Sequence, residues 1–301
     1  MQIPPDGGMR LDLALLADIP PWEWPEGADA TILEILGDAG APESDRLLAA
    51  DLAGDISVIN EALVEKMLWI LRRAEESDDL RSTAAVSLGP VLELDDVDGF
   101  DGLDELDEAP IPEETFNTVR QTLRDLYQSA DVPAPVRRSI LAASSRAPAD
   151  WHADAIREAV ALDDPEWRRT VVYCMGNVRG FDREIVEALK SPDPHILLEA
   201  VRAAGSWELE AAEPRIVQLI NAPDTDKALL IVAIEAAGSV CGDRMPDIVW
   251  DFADSTDEDI AAAASEALLM AEFLDDEFDD EDDADDDADD DADDDEDDDE
   301  E

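Results

Sequence analysis

A ten-residue pattern recurs along the chain at intervals of about thirty residues, with one longer step in the first half. ILLEAVRAAG begins at Ile196 and LLIVAIEAAG at Leu229. The other copies begin at Asp45, Leu80, Val136, Trp167 and Ile260. Most copies carry apolar, often small residues at positions five, six, eight and nine, a spacing that lies on one side of an α-helix. One such helix buries little by itself, so the repetition predicts stacked units that share one core.

Each copy is followed by a second amphipathic segment that closes with Asp, Pro or Ser, as in residues 182–193 and 213–224. These residues end one helix and cap the next. The tenth position is glycine in Gly54, Gly89, Gly176, Gly205 and Gly238. We expect these glycines to end helices in the left-handed conformation. The chain is therefore predicted to be an all-α, right-handed solenoid of about six to seven helix pairs.

Two copies carry a more specific motif. DDLRSTAAVSLG from Asp78, and more loosely DPEWRRTVVYCMG from Asp164, follow the pattern D-x-x-R-x-x-A-x-x-A-L-G. This pattern resembles the HEAT repeats of the phycobilisome-lyase type over about residues 45–270. The resemblance implies a HEAT-like solenoid. It does not imply one activity, because such repeats occur in lyase subunits, hydroxylases, DNA-repair proteins and adaptors.

The repeats predict a solenoid over residues 27–274, preceded by a proline- and tryptophan-rich segment over residues 1–26. That segment contains PPWEWP around Trp22 and Trp24, which is too rich in proline for a helix. Two interpretations stay open. The segment is either a cap that covers the end of the first helix pair or a docking peptide for a partner.

Two acidic segments interrupt or follow the repeats. Residues 93–114 form an insertion that we expect to be a solvated loop between the two helices of one unit. Its calcium-loop pattern fails, because Phe100 and Asp101 occupy the positions where a ligand and a glycine are required. Residues 275–301 are almost all Asp and Glu and are predicted to be disordered.

The chain is strongly acidic, with 80 acidic and 21 basic residues and a net charge of −59. This charge opposes binding to nucleic acid and to anionic membranes, and it is consistent with a basic protein or peptide as partner. It is equally consistent with a salt-rich cell interior. Cys174 and Cys241 form no recognisable pair, and no signal peptide or membrane span is seen. These features predict a soluble, cytoplasmic protein.

No catalytic, cofactor-binding or metal-binding motif is found. The only histidines, His152 and His195, lie in separate units. The di-iron hydroxylases built on similar repeats need several His–Glu pairs, which are absent. His152 is expected to be a surface or capping residue. The function predicted is a non-enzymatic interaction scaffold, with a phycobilin-lyase-like subunit or an acidic mimic of nucleic acid as alternatives.

Arginines are less evenly distributed. Four occupy the second position of successive copies: Arg46, Arg81, Arg137 and Arg168. In the HEAT repeats that this chain resembles, the equivalent column pairs with aspartates between repeats, and the resemblance implies the same pairing here. Trp and Arg dominate many interfaces. The candidate partner-contact patch therefore consists of Trp151, Trp167, Arg138, Arg168, Arg169, Arg179 and Arg183. Alternatively, the tryptophans are large core or edge residues that fill gaps between units.

Overall fold

A computed structural model describes residues 12–93 and 111–282, and within these ranges the chain contains only helices and the turns that join them. It divides into two units, Met1–Phe181 and Asp182–Glu301. The helices of the first unit are α1 (Leu13–Ala17), α2 (Ala28–Gly37), α3 (Glu43–Leu52), α4 (Glu61–Arg72), α5 (Asp78–Ser87), α6 (Gly89–Leu92), α7 (Glu113–Gln128), α8 (Ala134–Ser144), α9 (Asp150–Val160) and α10 (Pro165–Met175). Those of the second are α11 (Asp182–Ala188), α12 (Pro194–Ser206), α13 (Glu213–Asn221), α14 (Lys227–Val240), α15 (Met245–Ala253) and α16 (Glu258–Asp282).

All seven copies of the ten-residue pattern lie in or overlap helices, which we call the repeat helices: α3, α5, α8, α10, α12, α14 and α16. Each repeat helix packs against the helix that precedes it, which gives seven helix pairs in the described ranges. The predicted all-α repeat architecture is thereby confirmed. We had expected each repeat helix to be the first member of its pair, and this was wrong. Each repeat helix is the second member, because it packs against the helix that precedes it.

Polar residues before the helices fix where several of them begin. Ser77 caps α5, since its side chain accepts a hydrogen bond from the Leu80 N–H at 3.2 Å. Asp164 caps α10 by accepting from the Glu166 and Trp167 N–H groups at 2.8 and 3.1 Å. Such caps satisfy backbone donors that have no partner inside the helix. The predicted capping role of the acidic turns is confirmed at these positions.

Successive repeat helices also pack on one another inside each unit: α3 on α5, α5 on α8 and α8 on α10 in the first, and α12 on α14 and α14 on α16 in the second. Their contacts use the small apolar positions of the pattern. The fifth residue is buried in every copy: Ala49, Ala84, Ile140, Val171, Ala200, Ala233 and Ala264. Small side chains let the helix axes approach closely, so one recurring position builds the core of both units.

The repeated glycines do not end helices in the left-handed conformation, and that expectation was wrong. Positive φ is found among described glycines at Gly27, Gly180 and Gly242, none of which belongs to the pattern. Gly205 instead lies inside α12, where an added Cβ would come within 3.1 Å of Ala236 in α14. At Gly54 an added Cβ would lie 2.6 Å from the Ser87 carbonyl oxygen. These two glycines permit close helix contact.

Two of the repeated arginines bind the end of the preceding helix. The Nε–H of Arg81 donates to the Leu71 carbonyl at 3.1 Å, and that of Arg137 donates to the Tyr127 carbonyl at 3.0 Å. Each arginine thus places a positive charge at the negative end of its partner helix. The expected column of Arg–Asp pairs between repeats was wrong. Among the described residues, Arg168 alone of the four has an aspartate at hydrogen-bonding distance, and that aspartate lies five positions earlier in the chain.

The acidic insertion connects α6 to α7, so it lies between two helix pairs rather than between the helices of one pair, as we had expected. Residues 94–110 of the insertion lie outside the described residues. At the other end of the chain α16 continues to Asp282, past the predicted boundary at residue 274. Residues 283–301, where most of the predicted disordered tail falls, also lie outside the described residues.

Two glycines of the second unit provide a matched test of this packing. In Gly238→Ala, the new Cβ meets Ala267 at an ordinary 4.0 Å, so removal of a helical glycine should raise the free energy of unfolding by about 1 kcal/mol. In Gly205→Ala, the 3.1 Å contact should cancel that gain and lower stability by about 1–3 kcal/mol. Urea unfolding of both variants measures the difference. Equal shifts in the two variants would contradict the proposed role of Gly205.

Candidate functional site

The predicted partner-contact patch is only partly assembled. Six of its seven residues lie on α8, on α9 and on α10 with the turn that follows it, whereas Arg183 lies on α11 in the second unit. Trp167 is only 5% exposed and belongs to the core of the first unit. This burial agrees with the interpretation of the tryptophans as core residues, and the predicted contact of Trp167 with a partner was wrong. Trp151 is half-buried and stacks on His152 with ring centroids 3.8 Å apart.

The exposed arginines of the patch have acidic neighbours. Arg168 donates to Asp163 at 2.6 Å, and Arg169 lies 3.5 Å from Glu166. Arg138 is half-buried on α8, and Arg179 is exposed in the turn after α10. The two ion pairs offset the positive charge that singled out this region in the sequence. The structure therefore provides neither an open aromatic anchor nor an excess of positive charge on α10.

His152 is a buried capping residue. Its Nδ1 accepts a hydrogen bond from the Ala149 N–H at 2.9 Å, and its Nε2 lies 3.0 Å from the Ser144 hydroxyl. Capping was predicted correctly, but the residue is 1% exposed rather than on the surface. Burial lowers the pKa of His152 to about 4, so the imidazole is neutral at neutral pH.

The two thiols are also enclosed. Cys174 and Cys241 are free and buried, and burial raises the pKa of Cys174 to about 12. The thiolate, which is the reactive form, is therefore strongly disfavoured at Cys174. Within residues 12–93 and 111–282, no three His, Cys, Asp or Glu side chains are grouped so that they could hold a metal ion. In the same ranges no helix is long and apolar enough to cross a membrane.

A different feature of the first unit is open to solvent. The indole N–H of Trp24 donates to the carbonyls of Leu16 and Ile19 at 2.9 and 3.2 Å, which fixes the PPWEWP segment to the residues around α1. Trp22, two residues earlier, is 81% exposed. The segment thus uses one tryptophan to hold its own conformation and presents the other to solvent. The interpretation of the segment as a cap that covers neighbouring helices fits Trp24. It does not fit Trp22, which is exposed to solvent.

Two adjoining cavities lie on either side of this segment, and Pro21 and Trp24 line both of them. We call the pair the tryptophan groove. Each cavity has a volume of about 360 Å³. The first is bounded by the ends of α3 and α5, and its residues include Asp51, Asp55, Val86, Pro90 and Arg146. The second includes Trp22, Glu26, Asp29 and Val58.

The charge of the groove is mainly negative. The C-terminal ends of α3 and α5 form part of its wall, and helix C-termini carry partial negative charge. Asp51 and Glu26 are exposed carboxylates of the two cavities. Among the described residues of the lining the one cation is Arg146, which forms a 2.8 Å ion pair with Glu93. Exposed aromatic and apolar groups therefore lie beside carboxylates, a combination that suits cationic ligands.

Sequence reasoning singled out PPWEWP but missed the rest of the groove. Its other walls come from the ends of α3 and α5 and from Arg146, which are far apart in the chain. The sequence contained only an indirect indication of these other walls. Successive repeats place equivalent helix ends side by side, so residues after each copy of the pattern, such as Asp55 and Pro90, share one edge of the unit.

Comparison with known proteins supports the repeat assignment. A family model of HEAT repeats matches residues 183–269. No curated protein matches the chain. Among solved structures, the Escherichia coli protein YibA is 13% identical, with a TM-score of 0.46 and coverage of 85% of this chain and 84% of that one. Human deoxyhypusine hydroxylase, solved with glycerol, is 17% identical, with a TM-score of 0.38 and coverage of 87% and 88%.

These likenesses correct the functional prediction. The expectation of a non-enzymatic scaffold, and of no enzyme activity, was wrong, because the structures similar to this chain include an enzyme. Both TM-scores are below 0.5, so neither likeness transfers an activity to this chain. The match to HEAT repeats does not distinguish the phycobilisome-lyase type.

The buried His152 should make stability depend on pH. Its pKa is about 4 in the folded chain and 6.5 without burial, so between these values the unfolded chain binds the proton more tightly and stability falls as pH falls. From pH 7.5 to 4.5 this contribution to the free energy of unfolding should decrease by about 2–3 kcal/mol. Urea unfolding should show a smaller pH dependence in His152→Gln than in the wild type.

The control for this measurement is His195→Gln, since His195 is exposed on α12. That variant should keep the pH dependence of the wild type. If His152→Gln also keeps it, the buried imidazole does not contribute as described.

Proposed function

Because the chain is a HEAT-repeat protein, whose stacked helices present extended surfaces to other molecules, we propose that it recognises a basic peptide segment of a partner protein in the tryptophan groove. The observation that carries this proposal is the 81% exposure of Trp22 on a segment whose conformation is fixed by its neighbours. The proposal concerns recognition, and it holds whether or not the chain also catalyses a reaction.

The PPWEWP segment is held in one conformation before a partner binds. Pro20, Pro21 and Pro25 restrict the backbone, and the hydrogen bonds of Trp24 fix its position. A partner therefore loses little free energy in ordering this side of the interface. Large aromatic side chains that contact a partner often contribute the most to binding, whereas an exposed tryptophan contributes little to folding.

Charge favours a basic ligand. An arginine or lysine side chain over the Trp22 ring would gain a cation–π interaction of about 0.5–2 kcal/mol. Asp51, Asp55, Glu26 and Asp29 line the same groove, and Val86 offers an apolar contact. The net charge of −59 would also attract such a partner over a longer range at low salt. The same charge supports our proposal that nucleic acids and anionic membranes are not partners.

We also propose that this recognition takes place in the cytoplasm. The free, buried thiols of Cys174 and Cys241 support this location, because a reducing compartment maintains unpaired cysteines.

The test measures binding of a fluorescent peptide of alternating arginine and leucine to the full chain by anisotropy, with a peptide of glutamate and leucine for comparison. The arginine peptide should bind saturably and the glutamate peptide should not. Trp22→Ala should weaken binding about tenfold, which corresponds to a loss of roughly 1.4 kcal/mol. Added salt should also weaken binding.

Trp250→Ala is the matched control, because Trp250 is 65% exposed on α15 in the second unit. It should bind the arginine peptide as the wild type does. Equal binding by Trp22→Ala and the wild type, or equal binding of both peptides, would reject the proposal.

A further inference from the structure

The first unit contains a second charged site, separate from the residues of the groove. Arg46 on α3, Lys66 on α4 and Arg73 at the end of α4 form what we call the cationic cluster. The Lys66 Nζ lies 4.2 Å, and the Arg73 Cζ 4.5 Å, from the centroid of the Trp69 ring. Lys66, Trp69 and Arg73 are spaced three and four residues apart, so they share one side of the helix. The indole holds both cations beside it.

One carboxylate is enclosed by the cluster. Glu76 accepts two hydrogen bonds from the Arg46 guanidinium, at 2.7 and 2.9 Å, and both side chains are mostly buried. Arg46, Arg73 and Lys66 all lower the pKa of Glu76, the hydrogen bonds from Arg46 most strongly. Glu76 thus lies among three cations, one of which, Arg73, also pairs with Glu75 at 3.7 Å. Asp38 and Glu43 also act on Arg46, whereas the charges that act on Lys66 are Arg46, Arg73 and Glu76.

Two donors of the cluster lack acceptors. The Nε–H groups of Arg46 and Arg73 are buried, and no acceptor for either lies among the described residues. A buried N–H without an acceptor is destabilising, so native structures rarely leave one without water, an ion or a ligand. Burial and the two neighbouring guanidinium groups also lower the pKa of Lys66, which reflects the crowding of positive charge.

We propose that the cationic cluster binds a small oxyanion, a phosphate or a carboxylate group, between Lys66 and Arg73 beside Trp69. An oxyanion supplies acceptors to guanidinium and ammonium donors and offsets the excess of positive charge. On the side of α2, Gly37 approaches Lys66 closely, since an added Cβ there would lie 3.8 Å from the Lys66 Nζ. Trp69 is 44% exposed, so the site opens to solvent.

The experiment titrates the full chain with inorganic phosphate and with acetate by calorimetry, at constant ionic strength with chloride as reference. Saturable binding of phosphate or acetate above chloride is expected. Tighter binding of phosphate assigns a phosphoryl ligand, and equal or tighter binding of acetate assigns a carboxylate ligand. Lys66→Met and Arg73→Gln should each weaken binding about tenfold. Lys66→Met leaves the Arg46–Glu76 pair in place, so the first unit should stay folded.

Lys190→Met is the control, because Lys190 is exposed in the second unit and pairs with Glu187 at 2.6 Å. It should bind phosphate as the wild type does. If neither anion binds more tightly than chloride, or if Lys66→Met binds as tightly as the wild type, water alone satisfies the two Nε–H groups and the proposal is wrong. That result would leave peptide binding in the tryptophan groove untouched.

Discussion

The close approach of successive repeat helices is the constraint on which each unit depends. At the Gly54–Ser87 and Gly205–Ala236 contacts the backbones are too close for an added Cβ to fit without movement. A side chain of ordinary size at these points would push the helices apart and open voids along the whole row of contacts. Gly54 and Gly205 are therefore required by the spacing of the helices, whereas Gly238 is not.

This spacing also creates the surface that we propose to be functional. Helices α3 and α5 pack side by side, and residues at both C-terminal ends line the same cavity. The two helix ends therefore lie at one edge of the first unit. Pro21 and Trp24 of the PPWEWP segment line the cavity at that edge, and Trp24 binds the segment to Leu16 and Ile19 beside α1. Trp22 lies in the adjoining cavity with Glu26, Asp29 and Val58, beside the first turn of α2. The groove is thus a consequence of repeat packing combined with one non-repetitive segment.

The period of the pattern predicted the core well but did not predict its pairing. The fifth position is buried in every copy because a helix repeats its facing positions wherever its neighbours repeat. The sequence did not predict which flanking helix pairs with each repeat helix, since either one could bury the same apolar side. A glycine such as Gly205 can either end a helix or allow a neighbouring helix to approach closely. Which of the two occurs depends on the helix that packs against it. Likewise, Trp22 and Trp167 are chemically identical, and only tertiary packing exposes one and buries the other.

The two proposed sites have opposite charge preferences, and the overall acidity acts on them differently. A partner protein is larger than the screening length of about 8 Å at physiological salt, so it experiences the negative surface around the groove as well as the groove itself. That surface favours basic partners and repels polyanions. A small oxyanion is smaller than the screening length, so it responds mainly to the charges nearest to it. Arg46, Lys66 and Arg73 can therefore attract a small anion on a chain whose net charge would repel a nucleic acid.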